Sequence, residues 1–136
     1  MLKNRNIFFY GILALVVGGG IYVLPMFLSD PFEKIKNEVL QTNKTLPKMV
    51  DEETRFDLVQ FVDKKIENHY TLVNISKSEI DVEKMLPGVK ESLKSSICTK
   101  QNLLDNLSKD LEYSFTYKDK NSELISTVVI TKIDCK

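Results

Sequence analysis

Residues 111–133 read LEYSFTYKDKNSELISTVVITKI, and the fold turns on them. Leu111, Tyr113, Phe115 and Tyr117 alternate with Glu112, Ser114, Thr116 and Lys118. A strict period of two predicts a strand with one buried face. Residues 118–122 are polar and supply a turn. Residues 124–133 are β-branched and apolar on both faces, a pattern that places them centrally in a sheet.

Upstream the period changes to that of a helix. Thr99 is the expected cap of a short helix burying Leu103, Leu104 and Leu107. Asp81 is the expected cap of a longer one, with Val82, Met85, Leu86, Val89, Leu93 and Ile97 on one stripe. Pro87-Gly88 is expected to kink or restart it. Further upstream, residues 50–63 and 65–75 read as the arms of a β-hairpin. Phe56, Leu58 and Val62 fall on one face of the first arm, Val59 and Phe61 on the other. In the second arm Ile66, Tyr70 and Leu72 alternate with Glu67, His69 and Thr71. The turn around Asp63-Lys64-Lys65 has no glycine. Asp30, Pro31 and Glu33 make a helix start; Phe32, Ile35, Val39 and Leu40 carry that helix to about Asn43. Residues 42–48 read as a linker. The order predicts an α+β domain: a four-stranded antiparallel sheet of two β-hairpins with helices packed on one face.

In front of this domain lie residues 7–28, IFFYGILALVVGGGIYVLPMFL, without a charge. As a helix they would be roughly 33 Å long, enough to cross a bilayer core. Lys3 and Arg5 precede the run; Asp30, Glu33, Lys34 and Lys36 follow it. In a bacterium this asymmetry predicts a cytoplasmic N-terminus, a single inner-membrane span and a periplasmic C-terminal domain. A cleaved signal peptide is the alternative. The run is long for one, and the small-residue site Gly18-Gly19-Gly20 would leave a strongly apolar mature end. The expected organisation is residues 1–28 as cytoplasmic N-terminus and signal anchor, 29–45 as juxtamembrane helix and linker, and 46–136 as the extracytoplasmic domain.

Composition narrows the function classes. All 19 acidic residues lie beyond residue 28, against 17 of the 19 basic ones, and the signs are interspersed. No basic stripe suited to nucleic acid stands out. Cys98 and Cys135 are the only cysteines; outside the cytoplasm an even pair suggests one disulfide, with two free thiols as the alternative. His69 is the only histidine and lies on the polar face of a strand, away from any nucleophile pattern, so it reads as a surface residue rather than a base. Asp51-Glu52-Glu53 lacks the alternating ligands and glycine of a cation loop and reads as a solvated strand entrance. No catalytic constellation, metal site or cofactor is expected. Tyr113, Phe115 and Tyr117 are the candidate binding face; burial as core is the competing reading, and edge-strand pairing with a partner is a third.

Leu46-Pro47-Lys48-Met49-Val50-Asp51-Glu52-Glu53-Thr54-Arg55, Tyr70-Thr71-Leu72-Val73-Asn74 and the two cysteines together resemble a family of short exported bacterial proteins. The resemblance spans residues 46–135, implies an extracytoplasmic site and a paired cysteine, and supplies no activity. That family has Gly or Pro at the first hairpin turn, which Val62-Asp63-Lys64-Lys65 lacks. Type IV pilins share the plan of apolar helix and α+β head, but residues 7–28 carry neither their Gly-Phe cleavage site nor their glutamate. The sequence therefore predicts a membrane-anchored interaction module or accessory subunit of an envelope complex, working with a protein partner or as a homo-oligomer. The alternative is an envelope module for a small ligand or lipid.

Overall fold

A computed structural model describes residues 12–17, 20–25 and 30–136. They fall into two units, within Met1–Lys34 and Ile35–Lys136. In the first, β1 (Ile12–Val17) pairs antiparallel with β2 (Gly20–Pro25), setting Ile12 opposite Pro25 and Val17 opposite Gly20. The sequence predicts one continuous helix here. An apolar run alone does not separate helix from strand, and Ile12, Val16, Val17, Ile21, Tyr22 and Val23 all favour extended backbone. Residues 7–11, 18–19 and 26–28 of the expected span lie outside the described residues. No described helix is long and apolar enough to cross a membrane.

The second unit is built on a five-stranded sheet in the order β3 (Lys48–Met49), β4 (Thr54–Val62), β5 (Lys65–Leu72), β6 (Glu112–Lys118), β7 (Leu124–Ile130). All neighbours are antiparallel except β5 and β6, which are parallel. The expected four-stranded antiparallel sheet is thus a five-stranded mixed one. The two predicted hairpins are both present. A parallel pair needs a long crossover, and α2 (Val82–Cys98) and α3 (Gln101–Ser108) supply it. Helix α1 (Glu33–Asn43) precedes the sheet.

Local chemistry explains most boundaries. Asp30 accepts the Phe32 N–H at 2.9 Å just before α1. Asp81 caps α2 by accepting the Lys84 N–H at 3.2 Å. Helix α2 continues through Pro87, so the helix does not restart there. Thr99 closes α2 instead of opening α3: its hydroxyl donates to the Ser95 carbonyl at 2.7 Å. Helix α3 ends in a Schellman motif, with Leu111 N–H on the Asn106 carbonyl and Asp110 N–H on the Leu107 carbonyl. Asp110, at φ 62°, takes the left-handed position that glycine usually fills.

The β4–β5 hairpin turns through Asp63 (φ 49°) and Lys64 (φ 62°), with Val62 opposite Lys65. Two left-handed residues are what a two-residue hairpin turn demands, so the chain makes a type I′ geometry without glycine. A β-bulge between Phe56 and Leu58 shifts the register, so Phe56 pairs with Tyr70 and Leu58 with His69. One extra residue exchanges the faces. Phe56 therefore joins Val59 and Phe61, while Leu58 and Val62 take the other face and are exposed. A plain period of two predicts Phe56 on the face of Leu58 and Val62. The carboxylate of Asp57, the bulge residue, accepts from Arg55 Nε and Thr71 Oγ1.

Strand β7 sits at the margin of the sheet, not at its centre as its two apolar faces suggest. Among the described residues no strand lies on its far side. Val128 and Ile130 are nonetheless buried, together with Val59, Ile66, Ile97, Leu107, Leu111 and Ile125. The predicted disulfide is present: Cys98 at the end of α2 joins Cys135, with Cα atoms 5.4 Å apart.

Asp119, in the β6–β7 turn, is buried. Its carboxylate accepts the N–H groups of Lys77, Asn121 and Glu123, each at 2.8 Å, and Lys120 N–H bonds the Ile75 carbonyl. The turn is thereby fastened to the loop between β5 and α2. The Lys77 N–H holds the Asp119 carboxyl below its usual range; burial opposes this, and the Glu123 and Asn121 N–H groups reinforce it. A depressed carboxyl stabilises the fold above the ordinary carboxylate range and loses that contribution as pH falls through the folded value. Asp119→Asn is expected to lower the unfolding midpoint at neutral pH. Denaturant titrations should show the gap from the parent shrinking below about pH 4; a gap independent of pH would contradict this role.

Candidate functional site

The parallel pairing of β5 with β6 sets Ile66 beside Tyr113, Asn68 beside Phe115 and Tyr70 beside Tyr117. Paired residues share a face, so the candidate face Tyr113, Phe115 and Tyr117 is brought together and extended by Asn68 and Tyr70. Phe56 adds a third strand to it. Its ring stacks on Tyr70 at 4.7 Å, and Tyr70 stacks on Tyr117 at 5.3 Å and lies 6.5 Å from Phe115. These separations are those of attractive aromatic pairs.

Helices α2 and α3 lie over this face. A groove of about 310 Å³ runs between them and the sheet, with Tyr70, Tyr113 and Phe115 from the strands and Leu93, Ile97 and Leu103 from the helices. Lys100 supplies the one charge in its lining. Tyr113 and Phe115 are 6% and 8% exposed, so they are core residues whose edges reach the groove. Tyr117 and Tyr70 are half-buried. Asn106 Nδ2 donates to the Tyr113 hydroxyl at 2.8 Å, which fixes that ring against α3. Burial raises the Tyr113, Tyr70 and Tyr117 hydroxyl pKa values, that of Tyr117 to about 12 with the neighbouring Tyr70 adding to it. The phenols are neutral at physiological pH and act as hydrogen-bonding aromatic surface.

The other candidates lie apart from the groove. His69 is on the opposite face, facing Leu58 and Thr116 across its neighbours. Its Nε2 is 3.8 Å from a Glu67 carboxylate oxygen and makes no hydrogen bond among the described residues. Asp51 closes the turn between β3 and β4 by accepting the Glu53 and Thr54 N–H groups. The Glu53 bond is the main cause of its lowered carboxyl pKa. That is a structural turn at the strand entrance, with Asp51, Glu52 and Glu53 all exposed. Among the described residues no three His, Cys, Asp or Glu side chains converge as a metal site.

Sequence reasoning missed Tyr70 and Asn68 as parts of the groove and Phe56 as part of the aromatic face beside it. Their alternation was visible, but the parallel β5–β6 register that joins them to β6 was not.

No family model matches the chain, and no curated protein matches it in sequence. Three solved structures share the fold. One is a Pseudomonas aeruginosa protein named as secreted, 14% identical, with a TM-score of 0.65 over 76% of this chain and 91% of that one. Another is EpsS, the pilotin of the Vibrio vulnificus type 2 secretion system, 14% identical, with a TM-score of 0.59 over 74% of this chain and 86% of its own. The third is AspS, the Vibrio cholerae type II secretion system pilotin, 17% identical, with a TM-score of 0.54 over 73% and 86%. At these identities the likeness is one of fold.

Burial ranks the aromatic residues by their expected cost on removal. Phe115→Ala leaves a cavity under the helices and should cost about 3–5 kcal/mol. Tyr113→Phe removes only the bond to Asn106 and should cost about 1 kcal/mol. Urea unfolding of both variants measures this; equal small losses would contradict the burial of Phe115.

Proposed function

We propose that the chain is an envelope protein whose disulfide-closed domain works outside the cytoplasm by binding a protein partner, as a small accessory subunit and not as an enzyme. The observation that carries this reading is the shared fold with a secreted protein and two secretion-system pilotins. The Cys98–Cys135 bond supports the location, because such bonds persist in oxidising compartments. The uncharged, apolar character of residues 7–28 supports association with a bacterial inner membrane, with the N-terminus cytoplasmic and the domain periplasmic. The described part of that run is paired strand, so the anchor is proposed from its apolarity and not from an observed span. The pilotin fold favours a partner within a secretion apparatus; a homo-oligomer is the other form such an assembly takes. The groove floored by Tyr70, Tyr113 and Phe115 is the contact surface in this reading.

The same groove supports a second reading, binding of a small ligand or lipid. Its volume of about 310 Å³ is at the lower end of the range for ligand cavities.

Photo-crosslinking in living cells separates the two. A benzophenone amino acid placed at Leu93 or Leu103, which line the groove, is expected to give one discrete protein adduct. The same label at Thr116, on the other face of β6, is expected to give none. Equal adducts from both faces, or none from any position with a monomeric chain, would overturn the partner reading. A lipid-sized mass added at Leu103 would favour the second one.

A further inference from the structure

The two margins of the sheet are finished differently. At one, β3 is two residues long, and beyond it Asn43 closes β4: its Nδ2 donates to the Val59 carbonyl at 2.7 Å and its Oδ1 accepts the Val59 N–H at 2.9 Å. A short edge strand and a side chain that mimics a neighbouring strand are ways of blunting an edge. At the other margin, β7 reads LISTVVI, seven residues without charge, proline or glycine. Natural edge strands usually carry such interruptions. No described strand lies beyond it, and no described hydrogen bond reaches its outer side.

A cleft of about 650 Å³ follows this bare margin. Ser126, Thr127, Val128 and Val129 form one wall. Consecutive strand residues point to alternate faces, so a cleft that meets four in a row meets the strand edge-on, at its backbone. Leu86 and Pro87 of α2 supply an apolar opposite wall, and Glu83, Lys90 and Glu91 the charges. It shares no lining residue with the aromatic groove. Lys90 is already paired, 3.5 Å from Asp134. Glu83 and Glu91 are exposed and have no ion pair among the described residues, so the cleft is left acidic.

We propose that the outer edge of β7 is a docking site for an extended, basic segment of a partner protein, which joins the sheet as a sixth strand beside α2. The backbone groups of β7 give such a segment its hydrogen bonds, as in other strand additions between an edge and a helix. The four wall residues present roughly 14 Å of edge, room for a short β-branched stretch. Leu86 and Pro87 receive its apolar side chains, and Glu83 and Glu91 select lysine or arginine. A second copy fits less well. Its own β7 offers no cation, and the flanking Lys132 is bound to Asp110. This inference shares with the proposed function only the existence of a protein partner, and it uses a different surface.

The test uses the full chain in mild detergent and three labelled octapeptides. The first alternates valine with lysine and threonine. The second is the same peptide N-methylated at every other residue. The third has glutamate in place of lysine. Fluorescence anisotropy measures binding, and amide exchange of Ser126–Val129 locates it. The lysine peptide is expected to bind and to slow exchange at those residues. N-methylation and glutamate should each weaken binding about tenfold. The double variant Glu83→Lys, Glu91→Lys should prefer the glutamate peptide; the surface positions leave folding intact. Equal binding of the N-methylated peptide, indifference to charge, or no binding at millimolar peptide would overturn the proposal. So would protection of Ser126–Val129 in a peptide-free dimer, which would assign the edge to a second copy. Because purified protein is used, failure here leaves the envelope location standing, and a cytoplasmic location would leave a positive peptide result standing.

Discussion

The bond between Cys98 and Cys135 is the constraint on which the arrangement depends. It joins the end of α2 to the turn that follows β7, across 37 positions of sequence. Closing a loop of that length in the unfolded chain is worth roughly 4 kcal/mol in the chain-entropy model. For a domain of about a hundred residues that is a large fraction of total stability. Its position matters as much as its size. The α2–α3 joint carries the helix layer, and β7 is the last strand under it. Lys90 and Asp134 make a second, weaker tie between the same two elements. With both in place, α2 is held over the sheet, and the separations that define the groove and the cleft are set.

The parallel contact between β5 and β6 is the second organising feature. It requires a crossover, and the crossover is the helix layer. It also aligns Tyr70 with Tyr117 and Asn68 with Phe115, which turns two separate alternating strands into one aromatic floor. The β6–β7 hairpin then ends the sheet, leaving β7 outermost. Asp119 fixes the turn of that hairpin to the start of the crossover through three backbone N–H groups. Aromatic groove and open edge thus follow from a single choice of strand order.

Much of this was legible in the chain, for reasons that can be named. Alternation marked β5 and β6, and a β-branched apolar run marked β7. Asp30 and Asp81 marked helix starts because their side chains accept early N–H groups. The even cysteine count marked the disulfide. Strand order was not legible, because two hairpins separated by helices can join through either pair of edges. For that reason the sequence alone predicts an antiparallel sheet where the structure has one parallel pair. The apolar pattern of β7 predicts a central place, and the sheet order puts it at the margin. The exchange of Phe56 across faces escaped because a bulge at Asp57 leaves no mark in a period-two pattern. The turn at Asp63-Lys64 was legible in place but not in type, because it lacks the glycine that usually marks a type I′ turn. In residues 12–25 the pattern was compatible with helix and strand alike, and the described backbone is extended.

Location and fold meet in the state of the two cysteines. The most direct measurement is mass spectrometry of the native protein, alkylated in intact cells before lysis and digested without reductant. The account predicts a Cys98–Cys135 linked peptide, with alkylation of either residue only after reduction. Recovery of both as alkylated free thiols from unreduced cells would contradict it.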